Sequence, residues 1–304
     1  VGGTGFGRGK VILLGEHGVV YGRPALACGI ERGVRAEATS ADESRLVVPT
    51  WNVGIHPSPD AEDALPRAFD ALLDVYPERP SLEVTAEVEL PAGAGLGCSA
   101  AMGVAILAAM DDALGVAREP EERAEVSLAW ERVFHGNPSG VDSAMAAAGG
   151  VAVFQRGEAL RRVHPRHPLI LAIANSGEAS STKSMVDSVR RQHERNPKRI
   201  GETFDGIAAL VRNGELAVAA GDTHALGQLM DLNHGLLSSL LLSTMKLEAL
   251  CEAARGAGAE GAKLTGAGGG GCMVALCKDR QSAEGIRAAL AEIADEAFIA
   301  EVGS

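Results

Sequence analysis

The stretch PAGAGLGCSAAMG, Pro91 to Gly103, constrains this 304-residue chain more than any other. Before it, SLEVTAEVEL alternates Leu82, Val84, Ala86, Val88 and Leu90 with other residues, the period of a half-buried strand. After it comes an apolar, alanine-rich run that predicts a helix from about Ser99 to Leu114. A strand, a glycine loop and a helix start aim several backbone N–H groups and the positive end of a helix dipole at one spot, where an anion binds. The chain's 38 glycines cluster in a few such loops, which points to backbone approaching a ligand.

Two familiar phosphate loops do not fit these residues. A Walker loop places a lysine directly after its glycines, whereas Gly97 is followed by Cys98 and Ser99. A dinucleotide fingerprint reads G-x-G-x-x-G with an acid about 20 residues on. Gly93, Gly95 and Gly97 are spaced too tightly for it, and position 117 is alanine, which weakens the reading as a dinucleotide-dependent oxidoreductase. Cys98 at a helix start sits where a thiolate is favoured, so a nucleophile is a third reading. The G-x-S-x-G turn that would support it is absent. Taken alone, the loop leaves its ligand open.

Composition narrows the partners. A net charge of −12 repels nucleic acid and anionic membrane at long range. No apolar run reaches the roughly 18 residues of a membrane span, and VGGTGFGRGK lacks the apolar core of a signal peptide, so a cytoplasmic protein is expected. Five scattered cysteines with no C-x-x-C spacing predict reduced thiols, with neither a disulfide framework nor a zinc site.

Along the chain, KVILLGEHGVV opens with a short strand that breaks at Gly15, and RPALACGI and RGVRAEATS read as two strands on either side of Glu31. DALPRAFDALLDVY places Leu65, Phe69, Leu72 and Leu73 on one helical face. A further helix runs from about Pro120 to Phe134, with Glu121 and Glu122 in its first turn, and stops at the turn cluster HGNPSG. GGVAVFQRG and EALRRV read as a hairpin, and HPRHP marks a boundary near residue 167, giving domains 1–167 and 168–304. The second part starts with strand LILAIANSG and continues through helices near 182–194, 202–220, 223–233 and 243–257. It closes with strand KLT, loop GAGGGG, strand CMVALC, helix SAEGIRAALAEI and strand AFIAEV. Strands and helices that do not alternate strictly argue for an α+β fold.

Four motifs taken together identify more. GKVILLGEHGVVYGRPALA, PAGAGLGCSAA, ERVFHGNPSGVD and KLTGAGGGGC occur in the order of the GHMP kinase motif set, and the resemblance spans Gly9 to Cys272. It implies a two-domain fold, a ribosomal protein S5 domain 2-like N-terminal domain and a ferredoxin-like C-terminal domain, with the active site in the cleft between them. The implied activity is ATP-dependent phosphorylation of a small alcohol. GEHGVVYG resembles the members that act on mevalonate, where galactose-specific ones carry GEHTDY. Phosphorylation of phosphomevalonate or galactose, and a catalytically silent nucleotide-binding regulator of the same fold, stand as alternatives.

The resemblance also assigns residues. Gly93, Ala94, Gly95, Leu96, Gly97, Cys98 and Ser99 would wrap the triphosphate, and Asn52 would contact the base. Ser99 and Glu131 would hold Mg²⁺. Asp142 corresponds to the catalytic aspartate beside the acceptor hydroxyl, and Lys10 to the lysine that pairs with it. Glu16, His17, Thr182, Gly266 and Ala267 would line the acceptor side, with KLTGAGGGGC folded against the phosphate loop. A homodimer is compatible with the resemblance. One position departs from it: the family commonly reads GLGSSAA, whereas Cys98 replaces the first serine here and is expected to make the protein sensitive to thiol reagents.

Overall fold

A computed structural model describes residues 2–179 and 181–303. Among them the elements run β1 (Gly2–Leu14), β2 (Ala25–Ser40), β3 (Arg45–Val48), β4 (Val53–Ile55), α1 (Ala64–Leu73), β5 (Leu82–Val88), α2 (Cys98–Leu114), α3 (Pro120–His135) and α4 (Val141–Ala148). They continue with β6 (Val151–Phe154), β7 (Arg161–Val163), β8 (Leu169–Asn175), α5 (Thr182–Arg195), α6 (Pro197–Ala220), α7 (Thr223–Ser239) and α8 (Met245–Gly256). The last are β9 (Gly261–Leu264), β10 (Cys272–Cys277), α9 (Arg280–Ala291) and β11 (Glu296–Val302). The chain sorts into two compact units: Val1–Gly9, Arg32–Ala92 and Gly97–Gly149 form the first, and Lys10–Glu31, Gly93–Leu96 and Gly150–Ser304 form the second.

In the first unit β5 joins β2 antiparallel and β3 parallel, and β4 pairs with β3. Helix α2 is buried on nearly every side, from Cys98 through Asp111, and packs against β5, α3 and α4. A helix apolar all round needs neighbours all round. One neighbour is the glycine-rich start of β1. A Cβ at Gly7 would lie 1.9 Å from the Ala101 carbonyl oxygen, at Gly5 2.2 Å from that of Ala105, and at Gly3 2.4 Å from that of Ala109. Two residues of strand rise about 6.7 Å and four of helix about 6.0 Å, so alternate strand positions keep step with successive helical turns. Only glycine permits backbone against backbone here. Tyr76, Asp111 and Arg118 add a buried polar cluster, with Tyr76 Oη donating to Asp111 Oδ1 at 2.7 Å.

In the second unit β8, β9, β10 and β11 form an antiparallel sheet in the order β11-β8-β10-β9. Numbered within the sheet, that order is 4-1-3-2, the ferredoxin-like arrangement, with α5–α8 between the first and second strands and α9 between the third and fourth. Helices and sheet share a core that includes Phe204, Ile207, Leu237, Leu250, Met273 and Ile286. β6 and β7 form the expected hairpin.

Several expectations need correction. β2 is one strand, not two, because Glu31 is exposed and a single outward charge does not interrupt a ladder of period two. β1 begins at Gly2, well before the expected start, because its glycines serve close packing. Strands β3 and β4 and helix α4 lie where no element was expected. α6 begins at Pro197, capped by the Asn196 side chain, which accepts from Arg199 N. α7 continues to Ser239, six residues past its expected end. No helix among the described residues is long and apolar enough to cross a membrane.

Candidate active site

The predicted phosphate loop has the backbone its glycines require. Gly93, Gly95 and Gly97 have φ of 67°, 83° and 72°, the left-handed region that other residues rarely occupy. Within the second unit the front of the loop is held from two sides. The Lys10 backbone N–H donates to the Leu96 carbonyl at 2.9 Å and its ammonium to the Gly95 carbonyl at 2.8 Å. From the other side, Cys272 N–H donates to the Ala94 carbonyl at 2.9 Å. A Cβ at Gly95 would lie 2.9 Å from the Thr265 carbonyl oxygen, and one at Gly266 2.9 Å from the Gly95 Cα. The expected packing of the KLTGAGGGGC loop on the phosphate loop is therefore present for residues 94 and 95.

The back of the loop opens α2 in the first unit. α2, α3 and α4 pack pairwise against one another, and each carries one of the predicted oxygen-bearing residues: Ser99, Glu131 and Asp142. Ser99 Oγ donates to Glu131 Oε1 at 2.5 Å, and Trp130 Nε1 donates to Ser99 Oγ at 3.3 Å. Trp130 is fully buried against Gly103, where a Cβ would lie 2.8 Å from the indole ring. Sequence reasoning passed over this tryptophan, although it directly precedes Glu131 in the motif. Asp142 stands in the first turn of α4, behind Gly140 at φ 93°, and is half-buried. Its carboxylate opposes the lowering of the His135 pKa that burial causes, so His135 feels its charge.

A hydroxyl and a buried carboxylate in contact form a hard-oxygen pair that fits a magnesium-type ion, which keeps waters and takes its other oxygens from phosphates. Among the described residues no group of three or more His, Cys, Asp or Glu side chains could hold a metal by itself. A phosphate-bound ion does not require such a cage.

Cys98 is a correction. It is buried at the start of α2, and burial together with the Glu131 charge pushes its thiol up to about 12. A thiol that stays protonated is neither a nucleophile nor a ready target for alkylating reagents. The helix start that would favour a thiolate is outweighed by desolvation.

On the acceptor side, Glu16 is buried in the second unit with both carboxylate oxygens engaged, Oε1 by the Lys263 ammonium and Oε2 by Asn233 Nδ2 at 3.0 Å. His17 has φ 59° and its Nε2 lies 2.9 Å from the Ala267 carbonyl oxygen, so two predicted acceptor residues meet. Burial pushes the His17 pKa down and leaves the ring neutral. The ring N–H therefore sits on Nε2 and Nδ1 is an acceptor. Lys263, Asn233 and Thr265 were missed, although a lysine inside a strand of buried residues is itself a signal. Thr182 is exposed at the first position of α5, where the cap is Ser181, which accepts from Ser184 N at 3.3 Å. Asn52 is an exposed left-handed residue closing a short 3₁₀ turn.

These features coincide with a family. Residues 64–150 match the GHMP kinases N terminal domain and residues 208–295 the GHMP kinases C terminal domain, together more than half of the chain. The chain belongs to the GHMP kinases. Among curated GHMP kinases it is 36% identical to the mevalonate kinase of Pyrococcus horikoshii, covering 90% of this chain and 88% of that one. It is 34% identical to the mevalonate kinase of Methanothermobacter thermautotrophicus over 88% of each chain. A crystal structure of L. major mevalonate kinase in complex with R-mevalonate superposes with a TM-score of 0.86 at 28% identity, covering 99% of this chain and 95% of that one. The α+β, two-domain GHMP kinase fold is thereby shown, and the chain is a kinase that draws on ATP with a divalent metal.

Proposed function

We propose that this kinase transfers the γ-phosphoryl group of ATP to (R)-mevalonate, giving ADP and (R)-5-phosphomevalonate, with Mg²⁺ as the metal. The observation that carries the reading is the likeness, over nearly the whole chain, to a mevalonate kinase in complex with R-mevalonate. Relatives at 32–36% identity that are named mevalonate kinase support it.

The transfer forms a bond between the acceptor hydroxyl oxygen and the γ-phosphorus and breaks the bond from that phosphorus to ADP. The left-handed glycines at 93, 95 and 97 leave backbone N–H groups clear of side chains for phosphate oxygens. Ser99 and Glu131 are the residues to hold Mg²⁺, which when bound neutralises charge on the β- and γ-phosphate oxygens. Lys10, whose ammonium rests on the Gly95 carbonyl, contributes a positive charge beside the loop. Asp142 orients the acceptor hydroxyl and receives its proton. A carboxylate is a far weaker base than an alkoxide, so removing the proton before transfer is steeply uphill. The proton passes late, once the bond to ADP is largely broken, as a loose transition state allows.

Coupled ADP release across mevalonate, phosphomevalonate, galactose and homoserine tests the assignment. Turnover with mevalonate at least about a hundredfold above the others in kcat/KM is expected. Turnover of a different acceptor with none for mevalonate refutes it.

A further inference from the structure

Lys263 lies on β9 and is completely buried, a costly place for an ammonium. Each of its three protons has an acceptor: the Ile12 carbonyl at 3.3 Å, the Leu264 carbonyl at 2.6 Å and Glu16 Oε1. Asn233, also fully buried, holds the other Glu16 oxygen. Two positions on, Thr265 Oγ1 accepts from Ile12 N–H at 3.0 Å and stands 3.3 Å from its carbonyl. The end of β1 is thus fastened to β9 by side chains.

What is fastened is a strained turn. Gly15 has φ 114° and His17 φ 59°, and Glu16 stands between them. A non-glycine residue at such a φ persists only where its surroundings over-determine it. A fully buried ion pair is weak evidence for stability, because an apolar pair of similar volume often serves as well. Its evident effect here is geometric: it anchors the residue next to His17, whose ring rests on Ala267 four residues beyond Lys263.

We propose that Lys263, with Asn233, is a positioning residue that acts through Glu16: the buried pair locks the Gly15–His17 turn, and the His17 imidazole is thereby held with Nε2 on Ala267 and Nδ1 presented as an acceptor for a hydroxyl of the phosphoryl acceptor. Glu16 is in this account the anchor, with Lys263 on one oxygen and Asn233 on the other. The substrate half of the proposal rests on the mevalonate reading; the lock on the turn does not.

The test compares the wild type, Lys263→Met and Glu16→Gln/Lys263→Met by thermal unfolding, steady-state kinetics with each substrate, and ¹⁵N shifts of the His17 ring. Lys263→Met strands a buried carboxylate and is expected to melt about 5–8 °C lower. The double variant, neutral at both positions, is expected to regain most of that loss. In both variants the KM for mevalonate rises roughly tenfold or more, the KM for ATP stays within about twofold, and the ring loses its single Nε2–H tautomer. A double variant that regains both wild-type melting and the wild-type mevalonate KM overturns the proposal, as does an unchanged tautomer. Should Lys263→Met fail to fold, the double variant carries the test. Should mevalonate not be the acceptor, the tautomer readout still decides whether the lock exists.

Discussion

Replacing Gly7 with alanine tests whether the glycine-rich start of β1 sets the position of α2, the helix proposed to bind phosphate. The added Cβ would lie 1.9 Å from the Ala101 carbonyl oxygen, where ordinary contact begins at 3.4 Å, so strand and helix must separate by up to 1.5 Å. Backbone is close on the other side too, since the Gly7 carbonyl oxygen lies 2.1 Å from where a Cβ on Gly33 would stand. The atom in the way belongs to a helix backbone, so no flexible side chain can yield. The cost belongs at the upper end of the overpacking range, about 3 kcal/mol. For a protein of this size that lowers Tm by about 5 °C. Ala101 is two residues from Ser99, the proposed metal ligand, so kcat/KM for ATP should fall at least about tenfold. Gly201→Ala is the matched control. Gly201 lies inside α6 with nothing within 4 Å of an added Cβ, and alanine there should stabilise by about 0.5–1 kcal/mol. Calorimetry and steady-state kinetics on both variants decide the matter. A Gly7→Ala protein melting within about 1 °C of wild type with unchanged ATP kinetics would refute the reasoning.

Asp142→Ala should lower kcat by about 10²–10⁴ with ATP affinity nearly intact by fluorescence titration; normal turnover would remove Asp142 from the mechanism. Glu131→Gln should raise the Mg²⁺ concentration needed for half-maximal rate about tenfold or more, read from a metal titration at saturating ATP. Cys98, with its buried thiol pushed up to about 12, should resist iodoacetamide at pH 8 in the native protein and react promptly in urea. His17, His135 and His234 are held neutral by burial, their folded pKa values below the 6.5 of the unfolded chain. Their contribution to stability is complete above pH 6.5 and is lost as pH falls below it, because the unfolded chain then binds protons the native state does not. The urea midpoint should be lower at pH 5 than at pH 8.

The sequence alone determined what depends on neighbours along the chain. Alternation marked β5, an apolar run marked β8, Pro120 and its acidic turn marked α3, and glycine spacing marked a loop that is neither Walker nor dinucleotide type. The motif set named Ser99, Glu131 and Asp142, which the fold places on three mutually packed helices. What it left open depends on partners far away in the chain. Gly3, Gly5 and Gly7 carry no strand signal of their own, and their place is set by Ala101, Ala105 and Ala109 laid against them. Cys98 looks reactive until burial raises its thiol, and nothing near Glu16 in the sequence shows that Lys263 and Asn233, more than 200 residues on, hold its two oxygens. Periodicity and capping are short-range properties written into consecutive residues. Desolvation, close backbone approach and the pairing of buried charges arise only when distant segments are brought together, so only the tertiary structure decided them.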